Sequence, residues 1–265
     1  MKSFLKRYIF ALVAFAGGVN MLNASSLAEQ GDSAYKKEDY RAAVELYNQA
    51  IKEDGVSTDL YYNLGNAYYR TGDLSSSILS YERALRLDPS NSDAKSNLDF
   101  VNTKIADKKG ESGSFISNTI DSIACAFHSN VWAWMAVILF ALTMVCGFLY
   151  VFGGIVLIKK IGFFGGIILL LISGISVFFS FRSKAISTDA SQAIITAEST
   201  VLSTVPRTPL NRDEEAMLLH EGTKVRIIRS IALSGDSAGE IWHEVDVDNR
   251  HRAWINGNDI EKIIR

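Results

Sequence analysis

The chain shows three patterns of hydrophobic and polar positions along its length. Up to about residue 108, apolar residues recur three or four positions apart, as in amphipathic helices. Residues 131–158 and 161–181 contain no charged residue. From Gln192 onward, short runs rich in Ile, Val and Thr alternate with polar residues and turn signals. We therefore predict a multidomain chain with an all-α part, a hairpin of two long apolar helices and an all-β part.

The most specific pattern is a tyrosine-rich segment that begins at Tyr61. Gly65 stands where two helices would cross too closely for a β-carbon, Gly72-Asp73 supplies a turn, and Asp88-Pro89 ends the second helix because proline cannot continue it. Tyr68, Tyr81 and Ala84 occupy the remaining packing positions. This spacing resembles a tetratricopeptide repeat (TPR), a pair of antiparallel helices that needs a neighbouring repeat to bury its apolar face.

The same pattern occurs 34 residues earlier in the chain. The equivalent pairs are Gly31 and Gly65, Tyr35 and Tyr69, Ala43 and Ser77, Tyr47 and Tyr81, and Ala50 and Ala84. This first unit has Glu38 in place of the turn glycine and Gly55 in place of Pro89. Asn91 to Lys108 adds a closing helix with a polar outer face. We predict two TPR units plus a closing helix over residues 25–108; the alternative is a plain helical bundle.

The first 24 residues have the composition of a secretory signal peptide. Lys2, Lys6 and Arg7 precede an apolar stretch from Tyr8 to Val19, and Leu22-Asn23-Ala24 is an acceptable cleavage site. The alternative is an uncleaved membrane anchor, which leaves the topology downstream unchanged. Either way, the segment predicts export of the repeats from the cytoplasm.

Residues 131–182 are predicted to form two transmembrane helices, since each uncharged run reaches the roughly 20 residues that a bilayer core requires. Lys159-Lys160 then lies in a cytoplasmic turn, and the C-terminal part returns to the periplasmic face, together with the repeats. The alternative is a buried core hairpin of a soluble protein. Residues 109–130 are predicted to be a polar linker followed by a short amphipathic segment on the membrane surface.

The C-terminal part contains five predicted strands, beginning near Ala193, Val201, Lys224, Ile241 and Ala253, which indicates a small barrel. Gly222 to Val225, then Trp242 and then Trp254-Ile255 resemble bacterial SH3-like domains. We therefore assign residues 190–265 to an SH3-like barrel. Asn211 to Ala216 departs from that family, because it is predicted to be a short helix where a ligand-contact loop is usual.

Composition gives no support for several functional classes. Residues 25–108 carry 14 acids and 10 bases, and residues 185–265 carry 13 acids and 9 bases, so each part has a net charge of −4 and nucleic-acid binding is disfavoured. Cys125 and Cys146 are too far apart along helices for an internal disulfide. The four histidines lack zinc-site spacing. His243 and His251 could face each other on adjacent strands, but solvent-facing strand positions are the commoner explanation. No catalytic motif, metal site or cofactor site is predicted, and we expect a non-enzymatic protein.

The first helices of TPR units line the binding groove of such modules. Here that face is predicted to present seven residues for protein binding: Asp32, Tyr35, Asn63, Asn66, Tyr69, Arg70 and Asn97. The amides are suited to bonding an extended peptide backbone, and the tyrosines to packing against its side chains. The alternative is that Asn63 and Asn66 only solvate the surface.

The order of signal peptide, TPR units, membrane hairpin and SH3-like barrel resembles the TPR-bearing member of the Bacteroides aerotolerance (Bat) protein family. The resemblance spans nearly the whole chain, and it rests on Gly65-Asn66-Ala67-Tyr68, Asp88-Pro89, Asn97 to Val101, the hairpin, Trp242 and Trp254. It implies a role in tolerance of oxygen and oxidative stress at the bacterial inner membrane. It also implies partners that are other Bat proteins, including membrane proteins with von Willebrand factor A domains, and a MoxR-type ATPase encoded nearby.

The leading hypothesis is a non-enzymatic adaptor of the inner membrane whose periplasmic repeats hold a partner protein. Two other hypotheses compete with it. In one, the SH3-like barrel binds peptidoglycan and the repeats are secondary. In the other, the chain is a subunit of an enzyme that acts on envelope substrates, with His243 or His251 as the residues to test. No nucleophile–base pair is visible in the sequence, so we rank the enzyme hypothesis last.

Overall fold

The computed structural model describes residues 26–107, 115–233, 239–247 and 251–264. The predicted signal peptide over residues 1–24 and the predicted polar linker at 108–114 lie outside these ranges. The chain is multidomain: TPR-like helical hairpins are followed by two long apolar helices and an antiparallel β-sheet.

Five helices make up the first part, and each begins with a side chain that accepts a hydrogen bond from the backbone N–H three residues ahead. Ser26, Asp39, Ser57, Asp73 and Asn91 are these N-caps, and they satisfy amides that have no partner within the helix. The helices are α1 (Leu27–Lys36), α2 (Tyr40–Glu53), α3 (Thr58–Thr71), α4 (Leu74–Leu87) and α5 (Ser92–Asn102).

The two helical hairpins, α1–α2 and α3–α4, cross at equivalent glycines. A β-carbon on Gly31 would lie 2.6 Å from the Tyr47 ring, and one on Gly65 would lie 2.7 Å from the Tyr81 ring. Only glycine fits at these crossings, as the repeat spacing predicted. Glu38 has φ 63°, so it adopts the left-handed turn conformation that glycine supplies in the second unit.

The apolar hairpin consists of α7 (Ser129–Phe152) and α8 (Val156–Ser187), both long and apolar enough to cross a membrane. The turn between the two helices is at residues 153–155, because α7 ends at Phe152 and α8 begins at Val156. The predicted turn at Lys159-Lys160 was therefore wrong, since both lysines lie in the first two turns of α8. Helix α8 also continues beyond the uncharged run that ends at Phe181. Ser173 and Ser180 on α8 donate hydrogen bonds to the Ala136 and Ser129 carbonyls of α7, at 2.9 and 3.0 Å. A short helix, α6 (Phe115–Ala124), precedes the hairpin, and its Asp121 accepts two hydrogen bonds from Arg182 at 2.6 and 2.8 Å.

The C-terminal part forms one antiparallel sheet of seven strands in the order β3-β2-β6-β5-β4-β1-β7. Its core includes Ala193, Leu202, Val245 and Ile255, which come from four different strands. The strands are β1 (Gln192–Ile195), β2 (Ser199–Ser203), β3 (Glu215–His220), β4 (Lys224–Ala232), β5 (Ile241–Asp246), β6 (Arg252–Asn256) and β7 (Ile260–Lys262).

The prediction of five strands was incomplete, because the sequence analysis missed the two edge strands β3 and β7. The predicted helix at Asn211–Ala216 is a single 3₁₀ turn, Arg212–Glu214, and the chain becomes extended from Glu215. The residues of β3 include Met217 and Leu218, which suit a helix equally well. These residues form a strand because they pair with β2, where Val201 lies opposite Leu218.

The sheet packs against the second helix of the second hairpin. Ile78 of α4 shares one buried cluster with Ile194 of β1 and Ile263. At the same boundary, a β-carbon on Gly222 would lie 2.7 Å from the Ile105 side chain and 2.9 Å from the Ile78 side chain. The helices and the sheet therefore approach each other closely at this boundary.

Polar contacts add to this boundary. Lys224 binds both carboxylate oxygens of Glu82 at 2.8 Å. Asp107 accepts hydrogen bonds from the backbone N–H of His220 at 2.6 Å and from the Thr223 hydroxyl at 2.8 Å, and its second oxygen lies 3.0 Å from His220 Nδ1. Burial raises the pKa of Asp107, but these bonds and the His220 charge outweigh it, so the pKa is lower than usual.

Candidate protein-binding groove

The first helix of each hairpin and the closing helix carry the seven residues that were predicted to bind protein. Asp32 and Tyr35 lie on α1, while Asn97 lies on α5. Helix α3, between them, carries the other four: Asn63, Asn66, Tyr69 and Arg70. Together with the side chains they contact, these residues form the surface that we call the groove.

Four of these residues form a hydrogen-bonded ladder that repeats along the groove. Asp32 accepts from the Tyr47 hydroxyl at 2.6 Å and from Asn63 Nδ2 at 3.2 Å. Asn66 Oδ1 accepts from the Tyr81 hydroxyl at 2.6 Å and from Asn97 Nδ2 at 2.9 Å. Each member of the second set lies 34 residues after its equivalent in the first. The ladder therefore ties each first helix to its own second helix and to the next unit.

The ladder fixes the orientation of its amides and leaves part of their hydrogen-bonding capacity unused. The side-chain oxygens of Asn63 and Asn97, and the Nδ2 group of Asn66, have no hydrogen-bond partner among the described residues. Asp32, Asn63 and Asn66 line a cavity of about 270 Å³, together with Tyr35, Lys36 and Tyr47. Preoriented amide groups beside an open cavity are suited to bonding the backbone of an extended peptide.

The aromatic residues of the groove are paired with residues that the sequence analysis did not select. The Tyr35 ring packs edge-on against Tyr40 with centroids 5.2 Å apart, and the Arg70 guanidinium lies 4.3 Å from the Tyr40 centroid. Tyr69 packs edge-on against Phe100 at 5.7 Å. Phe100 is 50% exposed although it is a large apolar residue. A large aromatic residue on the polar outer face of the closing helix is the sequence signal that could have identified Phe100.

The surroundings of the two ladder tyrosines, Tyr47 and Tyr81, raise the pKa of both hydroxyl groups. Burial raises the pKa of Tyr81 to about 12. Burial also raises the pKa of Tyr47 above its usual range, and the hydrogen bond to the Asp32 carboxylate raises it further. Both hydroxyls therefore remain protonated at neutral pH and act as fixed donors to the groove residues.

His243 and His251, which could have faced each other on adjacent strands, do not pair. His243 lies opposite Ser230 on β4 and Ile255 on β6, not opposite His251. His243 is buried, whereas His251 is exposed. The suggestion that His243 faces solvent was therefore wrong. Among the residues that the structure describes, no three His, Cys, Asp or Glu side chains cluster as metal ligands.

Comparison with known proteins identifies the helical module. A family model described as tetratricopeptide repeat matches residues 28–92. The Protein SGT1 homolog of Oryza sativa subsp. japonica is 31% identical over 67 residues, which are 25% of this chain and 18% of that protein. A TPR repeat-containing protein of Methanocaldococcus jannaschii is 33% identical over 81 residues, which are 30% of this chain and 14% of that protein.

Residues 28–92 are thus similar to tetratricopeptide repeats, which are protein-interaction modules with concave binding surfaces. The match covers the repeats and spans less than a fifth of either relative's length.

Proposed function

We propose that this protein is a non-enzymatic scaffold, anchored in a membrane by its apolar hairpin, that holds a partner protein in the groove. The observation that carries this proposal is the division of surfaces in the helical module. Helix α4 packs on the sheet through Ile78 and Glu82. The groove residues Asp32 and Tyr35 of α1 and Asn63 and Asn66 of α3 instead line an open cavity. Docking the sheet on the opposite side leaves the groove available for a partner.

We further propose that the partner belongs to a Bat-type complex in the bacterial inner membrane, with membrane proteins bearing von Willebrand factor A domains. In this arrangement the TPR units and the sheet both face the periplasm. The order of the segments along the chain supports this assignment, and so does the position of the helical module and the sheet at the same end of the hairpin. Arg86 of α4 donates to the carbonyl of Ile186, in the last turn of α8.

Peptidoglycan binding by the sheet is the second candidate, and it has weaker support. In this chain the segment Asn211 to Ala216, which stands where SH3-like domains usually have a ligand-contact loop, is held by hydrogen bonds to neighbouring residues. Glu214 accepts from Arg207 at 2.6 Å and from the Leu210 N–H at 3.1 Å. A segment fastened in this way presents less adaptable surface to a wall ligand than an open loop does.

The test uses substitutions that remove groove contacts without breaking the ladder. We expect Tyr69→Ala combined with Arg70→Ala to lower recovery of the partner by about tenfold or more, because aromatic and arginine contacts dominate protein interfaces. The measurement is affinity purification of the full-length protein from native membranes in mild detergent, with quantitative mass spectrometry. Arg41→Ala, an exposed position on α2, is the matched control. Equal recovery with all three proteins would contradict the groove assignment.

A further inference from the structure

A second cavity, of about 760 Å³, lies on the other side of the helical module, beside the end of the chain that the structure describes. Its volume is within the range of ligand-binding cavities in proteins. We call it the basic cavity, because its lining includes three cationic side chains and no acidic one among the described residues. The lining residues are Asn48, Ile51, Lys52, Val56, Tyr61, Leu64, Arg83, Arg86, Leu87, Ile263 and Ile264.

The charge of the cavity is only partly neutralised by neighbouring groups. Arg83 binds Glu261 at 2.8 Å, and it also donates to the backbone carbonyls of Ile263 and Lys262. Arg86 donates to uncharged acceptors, the Ile186 carbonyl and the Gln192 side chain. Burial raises the pKa of the neighbouring Asp189, but hydrogen bonds from Ser191 and the charges of Arg86 and Arg226 lower it below its usual value. These contacts hold both guanidinium groups at the wall of the cavity.

Lys52 differs from the two arginines. It lies in the last turn of α2, is exposed, and has no hydrogen-bond or ion-pair partner among the described residues. An ammonium group on a flexible stem can move to meet a bound anion. The cavity thus combines two oriented guanidinium groups with one mobile cation.

The apolar part of the lining is exposed on one side. Val56 is 55% exposed and Leu87 is 36% exposed, whereas the adjoining Ile264 is half-buried and Ile263 is buried. A cavity with cations on one side and an open aliphatic wall on the other matches a ligand that has an anionic head and a hydrocarbon chain.

The position of the cavity indicates where such a ligand would come from. Arg86 contacts the Ile186 carbonyl, five residues beyond the uncharged run that ends at Phe181. At about 1.5 Å per helical residue, this places the Ile186 carbonyl, which Arg86 contacts, about 7.5 Å beyond the apolar span. The headgroup layer on each side of a bilayer is about 5–7.5 Å thick, so Arg86 reaches its outer edge. Arg182, one turn below Ile186, holds helix α6, whose exposed Phe115 and Ile116 suit the same interfacial layer.

We propose that the basic cavity binds an anionic phospholipid of the surrounding membrane. The phosphate headgroup lies between Lys52, Arg83 and Arg86, and an acyl chain covers Val56, Leu87 and the isoleucines near the C-terminal end. This inference depends on the proposed membrane insertion of the hairpin, but not on the groove or its partner. Its consequence is that the lipid contacts the helical module and Ile263 and Ile264 together and stiffens the junction between them.

The test measures lipids retained by the full-length protein. The protein is reconstituted in nanodiscs that contain equal amounts of phosphatidylglycerol and phosphatidylcholine, returned to detergent and analysed by native mass spectrometry. We expect the wild type to retain phosphatidylglycerol in preference to phosphatidylcholine. Lys52→Gln should lower that preference about fivefold, as expected for one cation near a membrane surface. Lys104→Gln removes the same charge from the same module, away from the cavity, and should change nothing.

Three results would overturn the proposal: equal retention of the two lipids by the wild type, an unchanged preference in Lys52→Gln, or full displacement of phosphatidylglycerol by inorganic phosphate. The last result would assign the cavity to a soluble anion. Arg86→Gln provides a second variant, with circular dichroism to check its folding. Alkaline carbonate extraction separates failure of the lipid site from failure of the proposed membrane insertion. A protein that stays in the membrane but shows no lipid preference refutes only the lipid site.

Discussion

The polar residues of the groove have two roles that the sequence does not separate. Asp32 and Asn66 each accept two hydrogen bonds from neighbouring helices, so they hold the repeats together as well as facing the groove. Tyr69 and Arg70 have no part in the ladder, and they are therefore the better residues for testing binding. The face of the helix could be predicted from the repeat spacing, whereas the bonds between the residues on it required the packed structure.

The close approach of the helices at each crossing glycine predicts the effect of a single substitution. We expect Gly65→Ala to destabilise α3 and α4 by about 1–3 kcal/mol, because the new methyl group must displace the buried Tyr81 ring. Hydrogen exchange of the α3 and α4 amides in the intact protein measures this as a lower free energy of opening. Gly147→Ala is the control, since nothing lies within 4 Å of that position. Unchanged exchange in Gly65→Ala would show that the crossing is looser than described.

At the scale of elements, the helices were predicted more completely than the sheet. The 34-residue spacing determines α1 to α4, because helix caps and crossing glycines recur at fixed positions. Strand β3 was missed because Glu215 to His220 lacks β-branched residues and becomes a strand through pairing with β2. The contact between α4 and the sheet was also missed, since Glu82 and Arg83 have the sequence character of surface residues until the sheet covers them.

The Asp107 contacts predict how this boundary responds to pH. The folded pKa of Asp107 is below the ordinary value of 3.8, so its carboxylate stabilises the folded state above that pH. The stabilisation is lost as the pH falls through the lowered pKa. We expect Asp107→Asn to lower the thermal unfolding midpoint at about pH 5–7 and the difference from wild type to shrink below pH 3.8.

Thermal unfolding of the intact protein across this pH range provides the measurement for Asp107→Asn. The matched control is Asp99→Asn on the exposed side of α5, which should follow the wild type at every pH. A difference between Asp107→Asn and wild type that stays constant down to pH 2 would show that the carboxylate charge is not what stabilises the boundary.

At the scale of the whole molecule, the three parts meet at one end of the apolar hairpin. Arg86 links α4 to the end of α8, and Arg182 links α8 to α6. The sheet docks on α4 through Ile78, Ile194 and Ile263. The order of the parts could be predicted from hydrophobic patterning. Their mutual arrangement could not, because it depends on contacts between residues about 100 to 180 positions apart in the chain.

The central claim, that the groove holds a partner protein, is tested most directly by site-specific photo-crosslinking in native membranes. A photoreactive amino acid replaces Tyr69 in the groove or, as a control, Arg41 on the opposite helix. We expect a crosslink from position 69 to one membrane protein in high yield, with at most trace crosslinking from position 41. A von Willebrand factor A domain in that protein would support the Bat assignment. Equal crosslinking from both positions, or crosslinking from position 41 alone, would contradict the claim.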